Sequence, residues 1–78
     1  MVTTQLPTTA EGLKRQFGKR LAELRRERGL TQQKLASALK MDTVSVAYIE
    51  GGKRSPSFKT LHKLCRVLKI SPMELFQF

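Results

Sequence analysis

Few residues in this chain are of types that could carry out catalysis or bind a metal. His62 and Cys65 lie three positions apart, a spacing at which two side chains meet on one face of a helix. A histidine can activate a cysteine nucleophile, but no acidic residue is placed to orient His62, and Cys65 falls on a stripe of leucines. We interpret Cys65 as a buried structural thiol. Since the sequence has no paired carboxylates, metal-ligand cluster or glycine-rich phosphate loop, it predicts neither an enzyme nor a bound cofactor.

Positive charge is the more informative chemical feature. The 78 residues include 15 Lys and Arg against 6 Asp and Glu, a formal net charge of +9. This balance favours a polyanion such as DNA, RNA or an acidic membrane face, the alternative being a charge that only keeps the domain soluble. Aromatic residues make up 6% of the chain, which argues against single-stranded nucleic acid because that ligand is bound by base stacking. We therefore favour a nucleic acid as the partner, and the helices predicted below favour double-stranded DNA.

The length and composition indicate one small domain. A chain of this size has one core and buries only about 60% of its unfolded surface. The single cysteine excludes an intrachain disulfide and a cysteine-based zinc site. No apolar run approaches the ~18 residues of a membrane span. The first residues also lack the order of a secretion signal. These features predict a cytoplasmic protein that does not associate with a membrane.

Helical periodicity and capping residues predict five helices and no strand. Residues 1–10 carry no charged side chain and are expected to form a flexible N-terminal tail, followed by a domain over residues 11–78. An apolar stripe of Leu13, Phe17, Leu21 and Leu24 predicts a first helix over residues 11–28. Thr31, Asp42, Ser57 and Ser71 are placed to cap four further helices. Those helices are expected over residues 32–39, 43–50 and 58–69, and from residue 72 onward.

The predicted fold is therefore a compact all-α domain of five helices. The second and third helices and the tight bend between them form a central helix-turn-helix. A rotation of about 100° per residue places Val46 and Ile49 of the third helix toward the core, with Val44 and Tyr48 on the opposite side. In a DNA major groove, valine methyls can contact a thymine methyl, and a tyrosine hydroxyl can reach a phosphate or a base edge. The third helix contains no Arg, Asn or Gln, the residues that most often form bidentate contacts with bases.

Residues beside the third helix are suited to phosphate contacts. Gln32 and Gln33 open the second helix, where backbone N–H groups and a side-chain amide can bind a phosphate. Lys53 and Arg54 follow a pair of glycines that permits close approach of the backbone. Taken alone, each of these residues is explained equally well as an ordinary solvated surface residue. Together, at this spacing, they favour contact with DNA.

The order of these features resembles the phage repressor and Cro-like helix-turn-helix family, the XRE-type transcriptional regulators. The resemblance lies in RRERGLTQQKLA, VAYIEGGKRSPSFKTLHKLCRVL and SPMELF, and covers roughly residues 14–76. It implies a lambda repressor-like fold and a sequence-specific repressor that binds a palindromic operator as a homodimer, with its third helix in the major groove. It also implies a prokaryotic or phage-type, nucleoid-associated setting.

The resemblance further implies roles for individual residues. The base-reading positions of the family, with their neighbours, correspond to Thr43, Val44, Ser45, Ala47 and Tyr48. Its phosphate contacts correspond to Gln32 and to the loop residues Lys53 and Arg54. The family also pairs an arginine late in the first helix with the glutamate that ends the third, here Arg25 and Glu50. We expect a partly buried structural ion pair, because Glu50 would otherwise repel DNA and oppose the helix dipole.

The apolar C-terminus permits a second hypothesis. Leu75, Phe76 and Phe78 form more apolar surface than a chain end usually exposes. They are expected to pack against the first helix or to form the homodimer interface. A two-fold dimer would place two third helices about 34 Å apart, the spacing of a palindromic site. If these residues instead bind another protein, the chain is an interaction module such as an antitoxin-like or adaptor partner.

Overall fold

A computed structural model describes residues 9–78, and this range contains five α-helices and no strand. In chain order they are α1 (Ala10–Glu27), α2 (Gln32–Leu39), α3 (Thr43–Glu50), α4 (Phe58–Leu68) and α5 (Pro72–Leu75). The predicted all-α, five-helix fold is confirmed. Thr9 and Ala10, which the sequence assigned to the flexible tail, form the N-cap and first residue of α1. The remaining residues of that predicted tail, 1–8, lie outside the described residues.

Each helix begins at a side-chain cap. In every case a hydroxyl or carboxylate oxygen accepts a hydrogen bond of 2.7–3.2 Å from the backbone N–H three residues later. The capping residues are Thr9, Thr31, Asp42, Ser57 and Ser71. Because a cap satisfies one of the N–H groups that lack a helical acceptor, these short side chains fix where the helices start.

The bend between α2 and α3 is formed by Lys40. This residue adopts a left-handed backbone conformation with φ 58°, and its N–H donates to the Ser37 carbonyl. The following N–H, of Met41, donates to the Ala36 carbonyl across 2.9 Å, so the bend satisfies the last carbonyls of α2. The direction of α3 relative to α2 is therefore set by backbone hydrogen bonds and by contact between the two helices.

One core lies between the helices. Helix α3 packs on α1 and α2, α4 packs on α2, and α5 closes the structure against α1 and α4. Leu13, which the sequence placed on the core stripe of α1, is instead exposed, and the buried residues of α1 begin one turn later, at Phe17. The buried cluster consists of Phe17, Leu21, Leu24, Leu35, Ala36, Leu39, Val46, Ile49, Leu64, Leu68, Ile70 and Leu75.

Gly18 allows α1 to contact the end of α3 directly. A Cβ atom built at this position would lie 2.5 Å from the carbonyl oxygen of Ile49, closer than real Cβ atoms approach another atom. Arg25 lies seven residues later on the same face of α1. The absence of a side chain at Gly18 thus brings the C-terminal end of α3 within reach of the Arg25 guanidinium.

Candidate nucleic-acid interface

The surface of α3 divides as its periodicity predicts. Val46 and Ile49 are buried, whereas Val44 is 57% exposed and Tyr48 is 43% exposed. An amphipathic helix usually places polar residues on its outward side, so two large apolar or aromatic side chains exposed one turn apart indicate a contact surface. We call this surface the α3 face, formed by Thr43, Val44, Ser45, Ala47 and Tyr48.

Arg25 and Glu50 join α1 to the end of α3. The guanidinium Nε and Nη2 atoms donate to the two carboxylate oxygens of Glu50 across 2.6 and 3.0 Å, and Nη1 donates to the Leu30 carbonyl across 2.9 Å. The two side chains are only 9% and 6% exposed. Hydrogen bonding to Glu50 raises the pKa of Arg25 above its ordinary value and outweighs the opposing effect of burial. The guanidinium therefore neutralises the carboxylate at the end of α3.

Gln32 extends this pair to the start of α2. Its amide nitrogen donates to the Glu50 carboxylate across 2.9 Å, so the side chain is half-buried against the ion pair. Gln33, the next residue, is exposed. Since the first N–H groups of a helix have no acceptor within the helix, this end of α2 presents donors next to the α3 face. The sequence predicted that Gln32 contacts a phosphate and did not reveal its hydrogen bond to Glu50.

The loop after α3 folds back onto the α3 face. The backbone N–H groups of Lys53 and Arg54 both donate to the Tyr48 carbonyl, across 2.8 and 3.3 Å. Gly52 makes this return possible: its φ is 74°, and a Cβ built there would lie 2.9 Å from the Cα of Arg15. The two loop cations consequently lie beside α3, with both side chains still exposed.

Both cations approach the aromatic ring on that face. The Lys53 ammonium lies 5.8 Å from the centroid of the Tyr48 ring, and the Arg54 guanidinium carbon lies 5.5 Å from it. Arg54 Nη1 also donates to the Ser45 hydroxyl across 2.8 Å. A guanidinium thus belongs to the α3 face although no arginine occurs in α3. In the sequence, this contact was indicated by the position of Arg54, four residues after the helix. The direction of the Arg54 side chain, however, depends on the fold of the loop.

The N-cap of α3 carries negative charge next to this arginine. Hydrogen bonding from Ser45, through its hydroxyl and its backbone N–H, lowers the pKa of Asp42, and the positive charge of Arg54 contributes to the same shift. The backbone bond measures 2.7 Å. Asp42 is therefore ionised at neutral pH and fixes the first turn of α3.

A second exposed surface lies on α4 and α5. Phe58 and Met73, which sequence reasoning did not single out, are 88% and 82% exposed. Phe76 packs its ring 5.0 Å from that of Phe17 and 6.1 Å from that of Phe78, and both C-terminal phenylalanines remain exposed. Between the helices is a groove of about 340 Å³, here called the α4–α5 groove, lined by Phe58, Leu61, His62, Cys65, Pro72, Leu75 and Phe76.

The predicted role of Leu75 in a dimer interface is wrong. This side chain is fully buried in the core of its own chain, so it can add no area to a contact with a second copy. Cys65 is half-buried and packs against the same core. Within residues 9–78, no group of three or more His, Cys, Asp and Glu side chains could hold a metal ion. None of the described helices is both long and apolar enough to span a membrane.

Comparison with known proteins identifies relatives of this arrangement. A family model described as a helix-turn-helix domain matches residues 16–76. The HTH-type transcriptional regulator PuuR of Escherichia coli (strain K12) is 39% identical over 59 residues, which cover 76% of this chain and 32% of PuuR. The chain therefore spans about a third of the length of that relative.

Other relatives are similar over most of their own length. The control protein C.MunI of Mycoplasma sp is 37% identical over 65 residues, covering 82% of this chain and 88% of C.MunI. Among solved structures, the restriction-modification controller protein C.AhdI from Aeromonas hydrophila superposes with a TM-score of 0.75 at 41% identity. The match covers 78% of this chain and 92% of C.AhdI.

Proposed function

This chain belongs to the helix-turn-helix domain family of transcriptional regulators, and on that premise we propose that it binds double-stranded DNA sequence-specifically as a homodimeric repressor. The observation that carries the proposal is the α3 face, on which exposed Val44 and Tyr48 lie beside the loop cations Lys53 and Arg54. A helix with such a face fits the DNA major groove, where apolar contacts with thymine methyls and charge-assisted contacts occur side by side.

Contacts with the DNA backbone would hold α3 in the groove. The N–H groups at the start of α2, together with the exposed amide of Gln33, are available to one phosphate. Lys53, in the loop that follows α3, is exposed and suits a second phosphate. Since Arg25 neutralises Glu50 between these two positions, the surface presents little negative charge to repel DNA.

A homodimer would match a palindromic operator. Two α3 helices related by a two-fold axis fall about 34 Å apart, so each half of a palindrome is read by one copy. The α4–α5 groove and the exposed rings near it offer an apolar surface for self-association. We place the dimer interface on Phe58, Met73, Phe76 and Phe78. The repressor role is supported by the resemblance of the chain to phage repressors.

Selection from random duplex DNA tests this function. We expect enrichment of one palindromic sequence whose half-sites are one helical turn apart, bound by two copies of the chain. Val44→Glu, which puts a carboxylate on the α3 face, should abolish enrichment. Ala10→Glu adds the same charge at an exposed site on α1 and should preserve it. Failure of the wild-type chain to enrich any sequence would overturn the proposal.

A further inference from the structure

We propose that Arg54 reads a guanine base in the major groove, and that Ser45 and Tyr48 hold its guanidinium in place for this contact. The inference rests on the proposed function, because it requires α3 to lie in the groove. It assigns to Arg54 a role different from the phosphate contact that the sequence predicted.

The path of the Arg54 side chain is the first observation. Its backbone N–H donates to the carbonyl of Tyr48, near the end of α3. Its guanidinium passes 5.5 Å from the Tyr48 ring centroid and reaches the hydroxyl of Ser45, three residues earlier in the helix. The side chain therefore runs backward along α3, from the loop toward the first turn.

The position of the Arg54 guanidinium at the first turn of α3 favours contact with a base over contact with a phosphate. In helix-turn-helix proteins, the N-terminal residues of the helix in the groove are those that contact base edges. Ser45 is the third residue of α3, so the guanidinium it holds lies beside this first turn. A phosphate contact would instead be made from the rim of the surface, where Lys53 is exposed.

The donor chemistry of Arg54 supplies what α3 lacks. The helix sequence TVSVAYIE contains no side chain that can form a bidentate contact with a base through two N–H donors. A guanidinium has five N–H donors in a planar fork, and the Ser45 hydroxyl takes one of them. The donors that remain can bind O6 and N7 of guanine, the commonest specific contact in the major groove.

The neighbours of Arg54 reduce the conformational freedom that it would lose on binding. A long flexible side chain on a surface gives up rotamer entropy when it contacts a base. Here the hydroxyl of Ser45, the ring of Tyr48 and the nearby negative charge of Asp42 already restrict it. Ser45 and Tyr48 thus act as positioning residues for Arg54, in addition to any contact of their own with DNA.

The test compares Arg54→Lys with Lys53→Ala on two duplexes, the selected site and a scrambled sequence, at several salt concentrations. Arg54→Lys keeps the charge but loses the planar fork. We expect it to weaken binding to the selected site about 5- to 150-fold, with little change on the scrambled duplex or in the salt slope. Lys53→Ala should lower both affinities and make the salt slope shallower by about one.

Two further measurements identify the base and the positioning. Replacing guanines of the selected site one at a time by 7-deazaguanine, which lacks the N7 acceptor, should weaken the wild-type chain at one position in each half-site. Arg54→Ala, which has no donor for N7, should be unaffected at that position. Ser45→Ala should reduce the ratio of specific to non-specific affinity, measured at a temperature where circular dichroism shows the variant to be fully folded. Its effect should be largely absent in the Arg54→Lys background.

Three results would overturn the inference. Unchanged discrimination in Arg54→Lys, or equal loss on both duplexes in Arg54→Ala with a shallower salt slope, would place Arg54 on a phosphate. Equal sensitivity of the wild type and Arg54→Ala to 7-deazaguanine would assign guanine recognition to another residue. If the wild-type chain bound both duplexes equally, the proposed function itself would fail, and that outcome is visible before any variant is made.

Discussion

Glu50, the last residue of α3, accepts two hydrogen bonds from the guanidinium of Arg25 in α1, across 2.6 and 3.0 Å. The pair lies where Gly18 lets the two helices touch, and Gln32 adds a third donor from α2. Three helices therefore meet at one carboxylate. Because α3 carries the proposed base-reading surface, this junction determines the orientation of that surface relative to α1 and α2.

Removing the carboxylate tests the junction. Glu50→Ala leaves a buried guanidinium without its counter-ion, and breaking a buried pair in this way costs about 3 kcal/mol or more of folding free energy. Chemical denaturation should show this loss. Glu27→Ala is the matched control, because Glu27 is 62% exposed and 3.6 Å from Arg28, and an exposed pair of this kind contributes less than about 1 kcal/mol. Equal stability of the two variants would contradict a structural role for the pair.

Gly18→Ala should destabilise the fold although alanine is the better helix former. The added methyl group would collide with the backbone at the end of α3, and the expected net loss is about 2 kcal/mol after the ~1 kcal/mol gain in helix propensity. Lys19→Ala, at the exposed neighbouring position of α1, should change the free energy of unfolding by less than about 0.5 kcal/mol. A Gly18→Ala variant as stable as the wild type would show that α1 and α3 can separate freely.

These sites show how far the sequence could predict the structure. Caps are local, since a short polar side chain contacts a backbone N–H three residues away, so Thr31, Asp42, Ser57 and Ser71 could be recognised from sequence alone. The close approach at Gly18 depends on residues more than 30 positions away. Its only local signal was a glycine inside a helix, where it is unfavourable without a packing reason.

In the candidate interface, too, the sequence predicted the features that lie within one helix and missed those that depend on the fold of the chain. Helical rotation predicted the exposure of Val44 and Tyr48, because both belong to one element. It could not predict that Arg54 returns along α3 to Ser45, since this requires the left-handed turn at Gly52. Leu75 was assigned to a dimer surface because it is near an apolar chain end, whereas α5 in fact turns this side chain into the core.

Tyr48→Ala should reduce specific binding more than non-specific binding. The ring lies on the α3 face and beside both loop cations, so its loss removes a groove contact and releases Arg54. Gel-shift titrations of the selected and scrambled duplexes provide the comparison. A loss of equal size on both would remove Tyr48 from the base-reading residues.

Phe58→Glu should dissociate the proposed homodimer. This ring is 88% exposed in one copy, so a glutamate there is tolerated by the fold but introduces an unpaired charge into an apolar interface. Sedimentation equilibrium should show monomer for Phe58→Glu and dimer for the wild type, and the variant should keep the helical circular dichroism spectrum of a folded chain. Val44→Glu, the same kind of change on the α3 face, should remain dimeric. Dimers of the Phe58→Glu variant would locate self-association elsewhere.

Acid should weaken the start of α3 through Asp42. Hydrogen bonding from Ser45 lowers the pKa of this carboxyl in the folded state, so its contribution is fully present above the ordinary aspartate pKa of about 3.9. As the pH falls through the lower folded-state value, the carboxylate is protonated and that contribution is lost.

Asp42→Asn keeps a capping oxygen but cannot titrate. Thermal melts between pH 7 and pH 2 should therefore show a smaller decrease in stability for Asp42→Asn than for the wild type. Glu11→Gln, on an exposed residue of α1, serves as the control for removing one carboxylate. Parallel pH profiles for the wild type and Asp42→Asn would show that the cap does not depend on ionised Asp42.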